Sequence, residues 1–398
     1  MAYDFSSPAN RYGSGCYKWD TMPAADVIPM WVADMDFRVA KPITDALQAR
    51  VEHGVFGYTK VKEAYYDSII AWFKNQHNWS IDREWIMYTT GVVPALSAII
   101  KALTRAEDKV IVLSPVYNCF FSSIRNNKCE TCEVPLQIIQ DEKNDQIFSY
   151  VIDFDALETA CKDEKSKLLI LCNPHNPAGR VWTKEELLRV NDICMRHNVV
   201  VISDEIHCEL TMPNYHYTPF ASISTATLNN SIVCCSASKS FNIAGLQIAN
   251  IICNNADIRQ AIDRAINENE ICDVNPFGVE ATIAAYNDCL DWLTQLNSYI
   301  YNNYSMLKRL FAAELPELRI TRLEATYLVW VDIRSTNFSS DKLTELLLNE
   351  GKVLVNSGTM YSADYGEGFI RINIACPEKQ MLEGLYRIIT TIKSKRNK

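Results

Sequence analysis

Short apolar runs recur along the chain, each separated from the next by a segment of helical length. The clearest are Val110-Ile-Val-Leu113, Lys167-Leu-Leu-Ile-Leu171, Val199-Val-Val-Ile202, Ile232-Val-Cys-Cys235 and Ile248-Ala-Asn-Ile-Ile252. Their apolarity is continuous, not alternating, so both faces are expected to be buried, as in a mostly parallel sheet covered by helices. One intervening helix should begin at the capping-box pattern Thr183-Lys-Glu-Glu186 and run to about residue 197. Another should follow Gly91, over about 93–103. These elements predict an α/β domain over residues 45–285. Beyond it, Trp292, Leu296, Ile300, Tyr304, Leu307 and Phe311 repeat at helical spacing and predict one long helix. Strands at 327–331 and 369–373 and helices near 341–350 and 377–394 then suggest a smaller α+β domain over 286–398. Residues 1–44 are expected to join that smaller domain.

Composition narrows the partners. The 398 residues carry 48 acidic and 39 basic side chains, a net charge of −9, with 48% hydrophobic residues. That balance argues against a nucleic-acid binder, which needs clustered Lys and Arg. The basic tail Lys393-Ser-Lys-Arg-Asn-Lys398 is too short to change this and reads as a solvated terminus. No apolar run approaches the roughly 18 residues that span a bilayer, and the N-terminus has no secretory pattern. The expectation is a cytoplasmic protein that needs no membrane. The 14 cysteines are scattered from Cys16 to Cys376 and so do not suggest a disulfide framework. Cys129-x-x-Cys132 has no second pair to complete a metal site, and none of the six His residues forms a zinc motif, so no metal is expected.

The chemistry gathers where the buried strands stop, which is where open α/β sheets bind ligands. One strand ends in Asn173-Pro-His-Asn-Pro-Ala-Gly179, the next in Ser203-Asp204-Glu205-Ile206-His207, and a third in Ser236-Ala-Ser238-Lys239. An amide, a carboxylate and an amine thus stand at three successive strand ends and should converge. A Lys at a buried strand end is desolvated, so its free amine becomes available to condense with an aldehyde. A neighbouring carboxylate could keep a heteroaromatic nitrogen protonated and make the ring an electron sink. Thr89-Thr90-Gly91-Val92-Val93-Pro94 opens a helix whose free amides suit a phosphate, and Ser236 and Ser238 could add donors. Together these features describe a pyridoxal 5′-phosphate site.

The ordered set Gly91, Tyr117, Asn173-Pro-His-Asn-Pro, Asp204-Glu-Ile-His207, Ser236-x-Ser-Lys239 and Arg371 resembles the fold-type-I pyridoxal-phosphate enzymes of the aspartate aminotransferase superfamily. With Ile28-Pro-Met-Trp-Val-Ala-Asp-Met-Asp-Phe37 and Ser238-Lys-Ser-Phe-Asn-Ile-Ala-Gly-Leu-Gln247, it is most similar to the MalY/PatB group of cystathionine β-lyases. The resemblance implies that fold, a pyridoxal 5′-phosphate cofactor, and β-elimination from cysteine-type amino acids to thiol, pyruvate and ammonia. An aminotransferase is the alternative within the superfamily.

Residue by residue, it implies Lys239 as the Schiff-base lysine and proton carrier. Asp204 would pair with the ring nitrogen, Asn173 would bond the phenolic oxygen, and Tyr117 would stack on the ring. Gly91, Val92, Val93, Ser236 and Ser238 would form the phosphate cup. His207 would sit beside the cofactor where aminotransferases carry Tyr, and Gln247 stands where many carry Arg. Arg371 would clamp the substrate carboxylate, with Asn173 and Trp31 also contacting substrate. Tyr58 would reach the phosphate of a second subunit, since such enzymes build each site across a homodimer. Gly358-Thr-Met-Tyr-Ser-Ala-Asp-Tyr-Gly366 lacks the Phe-Gly usual in the lyases near the substrate mouth. Cys119, Cys172, Cys208, Cys234 and Cys235 lie within two positions of predicted site residues. They read as small apolar core residues, with an oxidation-sensitive site as the alternative.

Overall fold

The continuous apolar runs form the inner strands of a seven-stranded sheet in a computed structural model that describes residues 2–396 apart from 269, 271 and 272. Its spatial order is Ile86–Thr89, Ala249–Ile252, Ser231–Cys235, Val200–Asp204, Ser166–Cys172, Lys109–Ser114 and Glu130–Pro135. Six strands run one way; Ala249–Ile252 is antiparallel to both neighbours. The reason is the short connection 236–248, which holds only a one-turn helix and a 3-10 turn. A parallel crossover normally needs a full helix.

Local signals behave as their physics requires. Thr183 and Glu186 form the reciprocal capping box of helix Lys184–Arg196. Helix Val92–Leu103 and helix Leu290–Glu314 lie where periodicity places them, and all six apolar positions of the latter are buried.

A second sheet has the order Asn356–Ser357, Phe369–Asn373, Leu328–Asp332, Arg319–Thr321, Ile147–Val151 and Gln137–Gln140. The hairpin 137–151 lies in sequence among the strands of the first sheet but pairs into the second, through Ile147 and Phe148 beside Ile320 and Thr321. Sheet membership therefore departs from chain order. The N-terminal stretch also reaches the C-terminal part. Ile28 and Pro29 pair with Val353 and Leu354, and Asn373 Nδ2 donates to the carbonyls of Val32 and Asp34. At the other end, Lys393 and Lys395 make ion pairs with Glu314 and Glu350; the last two residues of the basic tail lie outside the described residues. No helix among the described residues is long and apolar enough to cross a membrane.

Candidate active site

The strand Ser231–Cys235 ends at Ser236, whose Oγ accepts the Ser238 N–H (3.1 Å) and starts the one-turn helix Ala237–Ser240. That turn presents Lys239 and Ser238 to a cavity of about 220 Å³. Ser236 itself stays outside the cavity, because its hydroxyl is used by the cap and by donation to the Ile248 carbonyl (2.7 Å). The neighbouring strand delivers Asp204, with Ile206 and His207 beyond it. Opposite, Gly91, Val92 and Val93 open helix Val92–Leu103, whose first N–H groups have no acceptor within the helix. Tyr117, which precedes helix Asn118–Asn126, forms another wall, and Ala33 of the N-terminal stretch covers the Lys239 end.

Burial sets the protonation of these groups. It lowers the proton affinity of the Lys239 amine, whose Nζ donates to the Ala33 carbonyl at 2.7 Å. It pushes Asp204 up to about 7; Oδ1 accepts only the Ile206 N–H (3.1 Å), and no described residue donates to Oδ2. It drops His207 to about 3, helped by Lys239 and Arg371, so His207 is a neutral imidazole, and its Nδ1 has no partner. The Tyr117 hydroxyl is raised by burial and stays protonated.

The loop after strand Ser166–Cys172 decides which amide enters. Asn173 does not line the cavity: its Nδ2 donates to the Thr218 carbonyl (3.1 Å) and Glu205 Oε1 (3.4 Å). Asn176 lines it instead, from a turn closed at Gly179, whose N–H bonds the His175 carbonyl (2.7 Å). Gly179 has φ +67°, and a Cβ there would lie 2.9 Å from Leu323 Cδ1. Sequence reasoning missed Asn176, and the signal was present: it is the Asn-Pro nearer the turn glycine.

Arg371 comes from strand Phe369–Asn373 and is 3% exposed. It donates to Asn176 Oδ1 (3.2 Å) and to the Trp31 carbonyl (2.8 Å), lies 4.8 Å from the Tyr361 ring centre, and leaves its Nε unpaired. Trp31 therefore contributes a carbonyl, while its indole faces Tyr17 and the Lys18 carbonyl, away from the cavity lining. The loop that departs from the lyases is anchored here, since the Tyr361 carbonyl accepts the Val116 N–H (2.9 Å). Gln247 does not line the cavity, and Tyr58 is fully exposed.

Among the neighbouring cysteines, Cys172 touches the cavity. Burial raises the thiols of Cys172, Cys208, Cys234 and Cys235 well above the ordinary value, which keeps them unreactive. Every described cysteine is free, and no described cluster could hold a metal.

A desolvated amine, a carboxylate short of donors and free helix amides around one cavity suit a ligand that carries an aldehyde, a basic ring nitrogen and an anionic group. The family model for class I and II aminotransferases matches residues 25–389. The chain belongs to that family. It is 39% identical to the cystathionine β-lyase PatB of Bacillus subtilis over 97% of this chain and 98% of that protein. It is 32% identical to the MalY protein of Escherichia coli over 99% and 100%. Among solved structures it is similar to cystalysin of Treponema denticola, which contains a pyridoxal 5′-phosphate cofactor, with TM-score 0.94, 34% identity and coverage of 99% and 100%. The fold is thus the fold-type-I architecture expected from the sequence.

Proposed function

We propose that the chain is a pyridoxal 5′-phosphate-dependent carbon–sulfur lyase that eliminates thiol from cysteine-type thioether amino acids such as cystathionine. The observation that carries the proposal is the facing pair Lys239 and Asp204 in one cavity, in a chain most of whose length matches proteins named as cystathionine β-lyases.

The residues fit the cofactor. No described residue donates to Asp204 Oδ2, as should hold if it is to receive a ring N–H⁺. The N–H groups of Val92 and Val93, with the Ser238 hydroxyl, offer donors to a phosphate at a helix N-terminus. When bound, the cofactor supplies an electron sink for the carbanion formed at the substrate Cα. Lys239, as the free amine that burial favours, takes the Cα proton and can return it to the departing sulfur. Asp204 keeps the proton on the ring nitrogen. Arg371 binds the substrate α-carboxylate through charge-assisted hydrogen bonds, with its unpaired Nε as a spare donor and Asn176 fixing its plane. Neutral His207 adds no competing charge beside the amine.

A homodimer is part of the reading: Tyr58 is fully exposed and Phe56 56% exposed, which suits residues that complete a partner's site. A cytoplasmic location fits the free thiols.

The test is incubation with cystathionine and no keto acid. Pyruvate and free thiol should accumulate through many turnovers. An aminotransferase would stop after converting its own cofactor, and that result would overturn the lyase reading.

A further inference from the structure

Among the buried acids that this mechanism leaves unused, one adjoins the site. Glu205 follows Asp204 at the strand end and, because successive side chains alternate, it turns away from the cavity. It is fully buried. Its Oε1 accepts from Ser203 Oγ (2.7 Å), from the Phe220 N–H (2.9 Å) and from Asn173 Nδ2 (3.4 Å), while the Tyr217 hydroxyl donates to Oε2. The Phe220 N–H and the Asn173 amide nitrogen can only donate, so the surroundings are shaped for a carboxylate. No described cationic side chain hydrogen-bonds it. Burial raises both acids to about 7, and the four donors on Glu205 against the single N–H on Asp204 place the first negative charge of the pair on Glu205.

We propose that Glu205 is a positioning residue: an ionised carboxylate held by Ser203, Phe220, Asn173 and Tyr217 that raises the proton affinity of Asp204 and so strengthens its grip on a protonated ring nitrogen. The proposal rests on the cofactor reading above and also gives Asn173 its place, as a donor to Glu205 behind the cavity wall.

Electrostatics agree in direction. Burial raises Asp204 first, the Glu205 charge adds to the rise, and Lys239 opposes it. Tyr117 and the thiols of Cys172 and Cys234 also face Asp204 and stay protonated under burial. Tyr217, Cys208 and Cys235 face Glu205 and are likewise raised. Glu205 is thus the anion of the group that acts on Asp204 from behind.

The test uses pyridoxamine 5′-phosphate, which lacks the aldehyde and therefore reports on the ring nitrogen without Lys239 condensation. Its affinity for the full chain is measured by equilibrium dialysis from pH 5 to 9. A protonated ring needs an ionised Asp204, so wild-type affinity should fall as pH drops through the Asp204 titration. In Glu205→Gln that acid limb should move about one pH unit lower, with weaker affinity on the plateau. Tyr217→Phe, which removes a donor from Glu205, should move the limb the same way, and it decides alone if Glu205→Gln fails to fold. The phosphate titrates identically in every variant. An unmoved limb, including one with affinity lowered equally at every pH, overturns the proposal. Failure of the wild type to bind at any pH overturns the cofactor reading and the proposal together.

Discussion

Two buried charged clusters flank Ala33, and they are built on opposite terms. On one side Lys18 and Asp36 are each 1% exposed, yet every hydrogen-bonding direction of Asp36 is used. Lys18 Nζ (2.9 Å) and Gln380 Nε2 (2.9 Å) reach Oδ2; Arg11 (2.6 Å) and Trp19 Nε1 (2.8 Å) reach Oδ1. Burial would raise Asp36, but Lys18, Trp19 and Arg11 together hold it below the usual carboxylate range. On the other side Asp204 is 2% exposed with one N–H bond and stands near 7, and Lys239 has only a carbonyl. Equal burial with unequal pairing separates structure from chemistry. A satisfied buried ion pair fixes the strap over the site; unsatisfied buried groups keep their capacity for a ligand and a proton.

The largest effect should come from the unsatisfied cluster. Lys239→Ala should cost about 10⁴-fold or more in pyruvate formation, because proton transfer and cofactor attachment are lost together. Its urea midpoint should stay at or above that of the wild type, since a desolvated amine is removed. A clear fall in that midpoint would mean that Lys239 is part of the structural framework after all.

The satisfied cluster should answer in the other currency. Asp36→Asn leaves Lys18 buried with its main partner gone and sets an amide N–H₂ against donors. A loss of about 3–5 kcal/mol in unfolding free energy is expected. Turnover per folded molecule should change far less than in Lys239→Ala. If kcat collapses while stability holds, the cluster is catalytic and the contrast fails.

The sequence shows one cluster far better than the other. Lys239, Asp204 and the Val92 helix start are legible because continuous β-branched runs mark buried strands, and polar residues just past them have one place to go. The choice between Asn173 and Asn176 is not, since both precede Pro in one loop and only the turn at Gly179 selects the amide that enters. The hairpin 137–151 carries no local sign that it will join the other sheet. Trp31 and Ala33 act through carbonyls, which no side-chain pattern reveals. The Asp36 cluster needs four stretches of chain, from Arg11 to Gln380, to meet, and each of its charges alone reads as a surface residue. What is local is readable; what depends on long-range closure is not.

The pH dependence of stability gives the finest test, since the two aspartates should move it in opposite directions. Asp36 has a depressed folded pKa, so its stabilisation is present above the ordinary value near 3.9 and is lost as pH falls through the folded value. The penalty of Asp36→Asn should therefore shrink in acid. Asp204 in the cofactor-free chain has a raised folded pKa of about 7. Relative to an aspartate titrating near 3.9, it costs nothing below that value, and its burial cost grows as pH rises towards 7 and then levels off. Asp204→Asn does not titrate, so cofactor-free Asp204→Asn should match the wild type at pH 4 and exceed it by about 4 kcal/mol at pH 8. Denaturant unfolding of both variants across this range checks the signs. A cofactor-free Asp204→Asn less stable than wild type at pH 8 would show that Asp204 is paired in the empty site, and the distinction between the two clusters would fall.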